Sequence, residues 1–232
     1  MALDKKTFRI RTITALVFAA VRLLGLFTNV WFFLALFSII MVGCLVEYVR
    51  LVLKFKPIFI FLAVVYVVMP VLMMIDLGVD GTLFAKDERS YSHVMDVFTP
   101  LIPCAIIFSI WINDTMAYIV GSMIGKTPLS KISPKKTWEG TGGGAILCVI
   151  VIGVLGSVVP AAKPVSGYHW FAVAAICAVF GTMGDLLESK IKRLAKVKDS
   201  GSFMPGHGGF LDRFDSFLVA TPFVWFYVRL FM

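Results

Sequence analysis

Charged residues are scarce in this chain. Asp, Glu, Lys and Arg together make up 16% of its 232 residues, whereas hydrophobic residues make up 59%. A soluble domain typically has about a quarter charged and about half apolar residues. The composition therefore excludes a soluble fold and predicts an integral membrane protein, and no Ser- or Pro-rich linker divides the chain.

Cysteine is equally scarce. The chain has four, Cys44, Cys104, Cys148 and Cys177, all within apolar runs. They form no C-x-x-C pair of the kind that zinc sites use, and their spacing does not indicate a disulfide framework. We expect all four to be small buried hydrophobic residues.

The net charge of +8 raises the question of a nucleic-acid partner. In a polytopic membrane protein, however, a basic excess usually reflects loops retained in the cytoplasm. We therefore expect no nucleic-acid partner.

Long apolar runs predict the fold. Each transmembrane helix needs about 20 residues, so we predict an all-α polytopic membrane protein, a bundle of about seven transmembrane helices. The predicted spans cover approximately residues 13–27, 31–48, 57–74, 100–124, 145–159, 170–187 and 217–231. The acidic segment 76–99, which begins at Asp76, is predicted to be a solvated outer loop.

The distribution of basic residues predicts how the spans are oriented in the membrane. Of the 22 Lys and Arg residues, 17 fall on one side, four on the other and one, Arg22, within a span. The positive-inside rule places the richer side in the cytoplasm. The N-terminus and the polar loops at residues 126–140 and 189–212 are thus predicted to be cytoplasmic.

Polar chemistry concentrates between residues 184 and 216. Asp185, Glu188, Ser189 and Lys192 stand at i, i+3, i+4 and i+7, so a helix continuing from the sixth span would present all four on one face. Acids within a membrane span usually mark a functional site. The alternative is a helix end with an internal pair of Glu188 and Lys192, which leaves Asp185 unexplained.

A glycine-rich turn, PGHGG, comes next and leads into a second pair of acids. Gly208 and Gly209 would let backbone amides approach a phosphate closely. Asp212 and Asp215 share a helix face and offer the hard oxygen ligands that suit Mg²⁺, although a helix N-terminus favours acids for dipole reasons alone. His207 is either a proton carrier or a hydrogen-bonding turn residue.

The other polar loop contains SPKKTWEG, with Ser133, Lys135, Lys136, Thr137 and Glu139. Adjacent lysines beside a membrane either attract anionic lipid or, together with hydroxyls and glycines, cradle a phosphate. The glycines at 140 and 142–144 serve either that cradle or close helix packing.

These motifs carry a resemblance to a known family. The stretch from Ser189 to Asp215, SKIKRLAKVKDSGSFMPGHGGFLDRFD, resembles the long signature of the phosphatidate cytidylyltransferases, also called CDP-diacylglycerol synthases. The segments NDTMAYIVG, ISPKKTWEG and GDLLE are similar to other recurrent segments of the family, in the same order. The resemblance covers about residues 111–216, whereas the first hundred residues resemble the family only in being apolar.

The resemblance implies an enzyme that joins CTP to phosphatidic acid and releases CDP-diacylglycerol and pyrophosphate. It implies Mg²⁺, with a K⁺ ion beside it, around Asp185 and Asp212. It also implies a homodimer in the cell (inner) membrane with the active site on the cytoplasmic side. Residues 1–232 then form one membrane domain, with N-terminal spans in 1–100 and the catalytic part in 101–232.

The predicted site residues fall into two groups. Those predicted to act in catalysis are Asp185, Lys192, Arg193, His207, Asp212 and Asp215, with Asp185 and Asp212 as the metal ligands. Those predicted to bind substrate are Asp114, Ser133, Lys135, Lys136, Thr137, Glu139, Glu188, Ser189, Lys198, Asp199, Gly208, Gly209 and Arg213.

Two other functions would also use acids within the membrane. A CDP-alcohol phosphatidyltransferase would also use membrane acids and Mg²⁺, but its D-G-x2-A-R motif is not found in the sequence. An ion-coupled transporter would use Asp114 and Asp185 as relay carboxylates, which leaves both polar loops without a role.

Overall fold

The computed structural model describes residues 5–79, 98–203 and 208–232, with side chains from residue 12 onwards. Within these ranges the regular structure is helical, apart from isolated bridge residues that include the pair Pro128 and Thr137. The α-helices are α1 (Lys5–Phe27), α2 (Val30–Leu53), α3 (Met69–Gly78), α4 (Leu101–Ile124), α5 (Trp138–Val158), α6 (Gly167–Leu194) and α7 (Leu211–Phe231). The all-α prediction is confirmed.

Six helical stretches of the described chain are long and apolar enough to cross a membrane. They are α2, α4, α5, α6, α7 and the composite stretch Pro57–Gly78, in which a 3₁₀ turn and a π-helical turn lead into α3. The apolar part of α1, Thr12–Phe27, is shorter. A multi-pass membrane protein is therefore confirmed.

Several helices extend beyond the predicted spans, and in α5 and α6 the added residues include polar segments. α5 begins at Trp138 instead of near residue 145, because the Thr137 hydroxyl accepts a hydrogen bond from the Gly140 amide and caps it. α6 continues to Leu194 instead of ending near residue 187. The polar residues of both segments therefore lie on helices, as the spacing around Asp185 predicts.

The prediction that Asp76 begins a solvated outer loop is wrong. Asp76 lies inside α3 and is fully buried. Most of the predicted loop, residues 80–97, lies outside the described residues. The apolar run that precedes Asp76 continues its helix for two more residues, so a single acid does not end the span.

The chain divides into two compact units. The first unit contains residues 1–98 and 191–214, and the second contains residues 99–190 and 215–232. Residues 191–214, which carry most of the signature stretch, belong to the same unit as the N-terminal helices. The predicted single membrane domain stays a prediction.

In the first unit, aromatic packing holds the end of α3 and the start of α2 together. The Phe33 ring is fully buried and lies 4.8 Å from the Phe37 ring and 5.3 Å from the Phe98 ring, centroid to centroid. A side chain on Gly78 would overlap Phe33. Burial of these rings stabilises the N-terminal helices near the start of α2, far from its C-terminal end.

In the second unit, α4 and α5 pack closely through glycine. A Cβ atom on Gly144 would lie 2.7 Å from the Ala117 Cα, and one on Gly140 would lie 2.8 Å from the Gly121 Cα. Both distances are too short for non-bonded carbons, so the backbones can approach only because side chains are absent. Of the two roles that the sequence left open for these glycines, helix packing accounts for Gly140 and Gly144.

We expect Gly144→Ala to lower the thermal stability of the protein in detergent. The added methyl group would meet backbone atoms of Ala117, and overpacking of this kind costs about 1–3 kcal/mol. Gly142→Ala is the matched control, because a Cβ there meets nothing within 4 Å and alanine favours the helix by about 0.5–1 kcal/mol. Equal melting temperatures for the two variants would contradict the packing role.

A second close contact, between α6 and α7, positions polar groups within the same unit. A Cβ on Gly184 would lie 2.5 Å from the Asp215 carbonyl oxygen, and the Phe180 and Phe223 rings stack with centroids 3.6 Å apart. Because Gly184 has no side chain, α7 can lie directly against α6 beside Asp185. This contact brings Asp215 close to Asp185.

Candidate active site

A cavity of roughly 410 Å³ opens in the second unit. Its volume is within the range of about 300–1,000 Å³ that ligand sites usually have. Six of the predicted site residues line it: Asp114, Ser133, Lys135, Lys136, Thr137 and Asp185. Asn113, Thr141 and Thr182 also line it and were not among the predicted residues. The cavity therefore joins segments that are separated by about seventy residues of sequence into one polar concavity.

The loop before α5 holds Lys135 and Lys136 at this cavity. The loop closes on itself through hydrogen bonds from the Leu129 amide to the Lys136 carbonyl, 2.7 Å, and from the Trp138 amide to the Thr127 carbonyl, 2.9 Å. These backbone bonds fix the position of the lysines at the point where the chain enters α5.

Glu139 holds the same loop from its other side. Its carboxylate accepts hydrogen bonds from the Thr127 hydroxyl at 2.8 Å and from the amides of Lys126 and Thr127. Glu139 is not among the residues that line the cavity. In the structure Glu139 stabilises the loop through these hydrogen bonds. The substrate contact that the sequence predicts for it stays a prediction.

Three carboxylates cluster beside the cavity. Oxygen atoms of Asp185, Glu188 and Asp215 all lie within 4.8 Å of one another, and Glu188 is fully buried. Lys136 forms an ion pair with Asp185, and the Ser189 hydroxyl lies 3.4 Å from an Asp185 oxygen. Like charges this close repel one another unless a cation is present. Hard oxygen ligands on neighbouring helices fit Mg²⁺, which keeps other positions for water and phosphate.

In the first unit, Asp212 is held by four donors. Its Oδ1 pairs with the Lys192 ammonium at 2.6 Å, and its Oδ2 accepts from the amides of Ser200 and Gly209 at 2.8 Å and from the Ser200 hydroxyl at 2.9 Å. These bonds hold the carboxylate in a single orientation at the first turn of α7. The sequence predicts this residue as a metal ligand; the structure shows which groups orient it.

The predicted turn is only partly described. Gly208 has φ = 85°, a left-handed conformation that glycine adopts without strain, and a Cβ there would lie 2.5 Å from an Asp212 oxygen. The amide of Gly209 donates to Asp212. The phosphate-binding role predicted for Gly208 and Gly209 stays a prediction. His207 and residues 204–206 lie outside the described residues.

The remaining predicted residues are exposed at the end of α6, on the polar segment that follows it and at the start of α7. The Arg193 guanidinium donates to the Val197 carbonyl at 3.4 Å, and the Arg213 carbonyl accepts from the buried Arg22 side chain at 3.1 Å. Lys198, Asp199 and Arg213 have exposed side chains. Their predicted contact with substrate remains a prediction.

Glu47 was not among the predicted site residues. This acid lies in α2, is 6% exposed, and accepts hydrogen bonds from the Ser200 hydroxyl and from the amides of Phe210 and Leu211. It is the only acidic residue of α2. An acid in an apolar helix is itself a signal of function, so the sequence did contain the clue.

The structure therefore brings Asp185 together with Glu188 and Asp215, and Asp212 together with Lys192 and Ser200. The predicted sharing of one metal ion by Asp185 and Asp212 stays a prediction.

Comparison with known proteins identifies the family. The model of the cytidylyltransferase family matches residues 56–231, most of the chain. The chain belongs to the cytidylyltransferase family. The match is longer than the resemblance, which covered residues 111–216. It also includes the composite stretch Pro57–Gly78 and α7.

Curated relatives in this family are phosphatidate cytidylyltransferases. The enzyme of Bacillus subtilis is 45% identical over 123 residues, 53% of this chain and 45% of the relative. That of Synechocystis sp. is 41% identical over 150 residues, 61% of this chain and 48% of the relative. The chloroplastic phosphatidate cytidylyltransferase 5 of Arabidopsis thaliana is 43% identical over 127 residues, 55% of this chain and 30% of the relative. The chain spans about half the length of the bacterial relatives in these matches.

Proposed function

We propose that this protein is a phosphatidate cytidylyltransferase, which converts CTP and phosphatidic acid to CDP-diacylglycerol and pyrophosphate. The observation that carries the proposal is the polar cavity of a membrane helix unit, with two lysines at its rim and three carboxylates beside it. Two anionic phosphate substrates require cations, and here two lysines and an acid cluster that could hold a metal ion lie at one cavity. The names of the relatives support this reading.

The lysines would bind phosphate. The backbone bonds of their loop hold Lys135 and Lys136 at the cavity, so their ammonium groups can reach an anion bound there. Lys136 already contacts a carboxylate, Asp185, and a phosphate oxygen would replace or share that contact. The hydroxyls of Ser133 and Thr141 can donate further hydrogen bonds to the same anion.

The acids would hold the metal. We propose Asp185 and Asp212 as Mg²⁺ ligands, with K⁺ beside them, and Glu188 and Asp215 extend the set of oxygen donors around Asp185. Bound Mg²⁺ would neutralise charge on the phosphoryl oxygens and orient the pyrophosphate leaving group.

The main requirement of this reaction is that the protein positions its two substrates. A phosphate oxygen of phosphatidic acid forms a bond to the α-phosphorus of CTP, and the bond from that phosphorus to the oxygen that bridges to the β-phosphate breaks. The attacking oxygen is already anionic, so no strong general base is needed. The fixed cations stabilise the charge that accumulates on the transferring phosphorus.

The decisive assay uses the purified protein in detergent or lipid with phosphatidic acid, Mg²⁺ and each nucleoside triphosphate in turn. We expect CDP-diacylglycerol from CTP, stimulated pyrophosphate release on addition of phosphatidic acid, and no product without Mg²⁺. Absence of lipid product from CTP would refute the proposal. A CDP-alcohol phosphatidyltransferase would instead consume CDP-diacylglycerol, and a transporter would release no pyrophosphate.

We further propose that the N-terminus and both polar loops lie in the cytoplasm of the cell in whose inner membrane the protein resides, and that the protein is a homodimer. The distribution of Lys and Arg supports the orientation. The homodimer rests on the family resemblance and is tested by the mass of the protein in detergent by light scattering.

Single cysteines test the orientation. Lys131→Cys and Lys198→Cys, each in a background without the four native cysteines, are expected to react with a membrane-impermeant maleimide only after the cytoplasmic side is opened. Both positions are exposed, whereas Ser200 is buried and bonded to Glu47 and Asp212 and is unsuitable. Labelling of the two positions from opposite sides would overturn both the threading and a common active site.

A further inference from the structure

Glu47 is an acid from the N-terminal helices that reaches the signature stretch. Its Oε2 accepts from the Ser200 hydroxyl at 2.7 Å and from the Leu211 amide at 2.9 Å, and its Oε1 accepts from the Phe210 amide at 3.0 Å. Both carboxylate oxygens are therefore engaged with the loop that precedes α7. The side chain is 6% exposed, so these bonds are little weakened by water.

The loop is built to admit this carboxylate. A Cβ atom on Gly201 or on Gly209 would overlap the Glu47 side chain. The loop therefore closes around the acid from two sides, each at a residue without a side chain. If the loop merely passed near the acid, it would not need a residue without a side chain at both positions.

Ser200 connects Glu47 to Asp212. Its hydroxyl lies 2.7 Å from a Glu47 oxygen and 2.9 Å from an Asp212 oxygen, and its amide donates to the same Asp212 oxygen at 2.8 Å. One hydroxyl has a single proton to donate, so the two carboxylates compete for it or share it. The position of Glu47 is thus coupled to the orientation of Asp212 through one side chain.

We propose that Glu47 is a positioning residue of the proposed transferase, which orients Asp212 by fixing Ser200 and the Phe210–Leu211 backbone. The inference rests on the proposed function for its effect on turnover, but the coupling of Glu47 to the loop stands independently. It assigns a role in the reaction to α2, a helix in which the sequence offered no motif.

Glu47→Gln tests the proposal. The amide keeps the shape of the side chain but replaces one acceptor oxygen with a donor, so the Phe210 or the Leu211 amide loses its partner. We expect hydrogen exchange to become faster in peptides that cover residues 208–214 and to stay unchanged in peptides that cover 126–139. We expect kcat for CDP-diacylglycerol formation to fall about 10- to 100-fold, the usual effect of removing a group that orients a ligand residue.

Phe33→Leu is the matched control for a general loss of stability. Phe33 lies on the same helix about four turns away, and its ring packs against Phe37 and Phe98. This variant should lower the melting temperature without faster exchange at residues 208–214 and without a lower kcat. If Glu47→Gln behaves like Phe33→Leu, Glu47 is a stabilising residue only and the proposal is wrong.

Ser200→Ala provides a second, milder test should Glu47→Gln fail to fold. It removes the hydroxyl that links the two acids and leaves the Ser200 amide bond to Asp212 in place. We expect a similar fall in kcat, and in the double variant the effects should not add, because both act through one connection. A Ser200→Ala enzyme with unchanged kcat would overturn the role of the link.

The two proposals fail in different ways. An unmodified protein that makes no CDP-diacylglycerol from CTP refutes the proposed function, whatever the exchange results are. An active protein whose Glu47→Gln variant exchanges faster but keeps its kcat refutes the positioning role alone.

Discussion

Replacement of Asp185 by asparagine is expected to reduce turnover about a thousandfold while the protein stays folded, because a metal ligand contributes several kcal/mol and each ~1.4 kcal/mol is a factor of ten. The amide keeps the shape of the side chain but loses the charge that binds the ion. Asp185 lies at the cavity and within the three-carboxylate cluster, so it can contact both the metal and the substrate. The activity assay is accompanied by Mn²⁺ binding, measured by electron paramagnetic resonance, and by the melting temperature.

Lys136 provides a control whose effect on metal binding has the opposite sign. In the absence of substrate the Lys136 ammonium neutralises Asp185. Lys136→Gln removes this positive charge from the cluster of three acids. We expect Lys136→Gln to bind Mn²⁺ more tightly than the unmodified protein and Asp185→Asn to bind it more weakly. Both should lose activity, the first through weaker binding of phosphate and the second through loss of the metal.

A change of Mn²⁺ affinity in the same direction in both variants would contradict this arrangement. If Asp185→Asn keeps most of its activity at limiting Mg²⁺, Asp185 is not a ligand. The metal would then depend on Glu188 and Asp215, whose Gln and Asn variants can be compared in the same assay.

Local patterns in the sequence predict a large part of the site. Asp185, Glu188 and Ser189 lie on one helix because their spacing is helical, and the structure places them together. Lys135 and Lys136 lie at a cavity, as a basic loop beside a membrane suggests. In both cases the predicted placement depends only on residues close together in the sequence or on one face of a single helix.

The partners of these residues could not be predicted, because they depend on how helices cross. Asp215 approaches Asp185 through the close contact at Gly184, and nothing in the sequence says that this glycine faces α7. By their spacing alone, Asp212 and Asp215 were equivalent acids on one helix face, and the family resemblance implied Asp212 as the metal ligand. Their surroundings differ in the structure: Asp212 is held by four donors, whereas Asp215 belongs to the acid cluster.

Two acids show how the same residue type takes different roles. Glu139 follows the paired lysines and was predicted to bind substrate, but its oxygens hold the start of its own loop. Glu47 lies far from every motif and yet contacts the signature stretch. A carboxylate acts on whichever donors the fold brings to it, and those donors are 12 to 164 residues away in the chain in these cases.

Asp212→Asn is expected to abolish turnover as completely as Asp185→Asn if both acids bind Mg²⁺. The asparagine oxygen can still accept from the amides of Ser200 and Gly209, so the loop and the start of α7 should keep their structure. Its amide group would face the Lys192 ammonium in place of Oδ1 and end that ion pair. We therefore expect a large loss of kcat with a small change in melting temperature and unchanged hydrogen exchange at residues 208–214.

Two double variants separate a ligand role from a role in pairing with Lys192. If both aspartates bind the metal, Asp185→Asn with Asp212→Asn should be no slower than either single variant, because one substitution already disables the site. If Asp212 only neutralises Lys192, then Lys192→Gln should restore activity to Asp212→Asn by removing the unpaired cation. Such a restoration would contradict the ligand assignment for Asp212 and leave Asp185, Glu188 and Asp215 as the metal site.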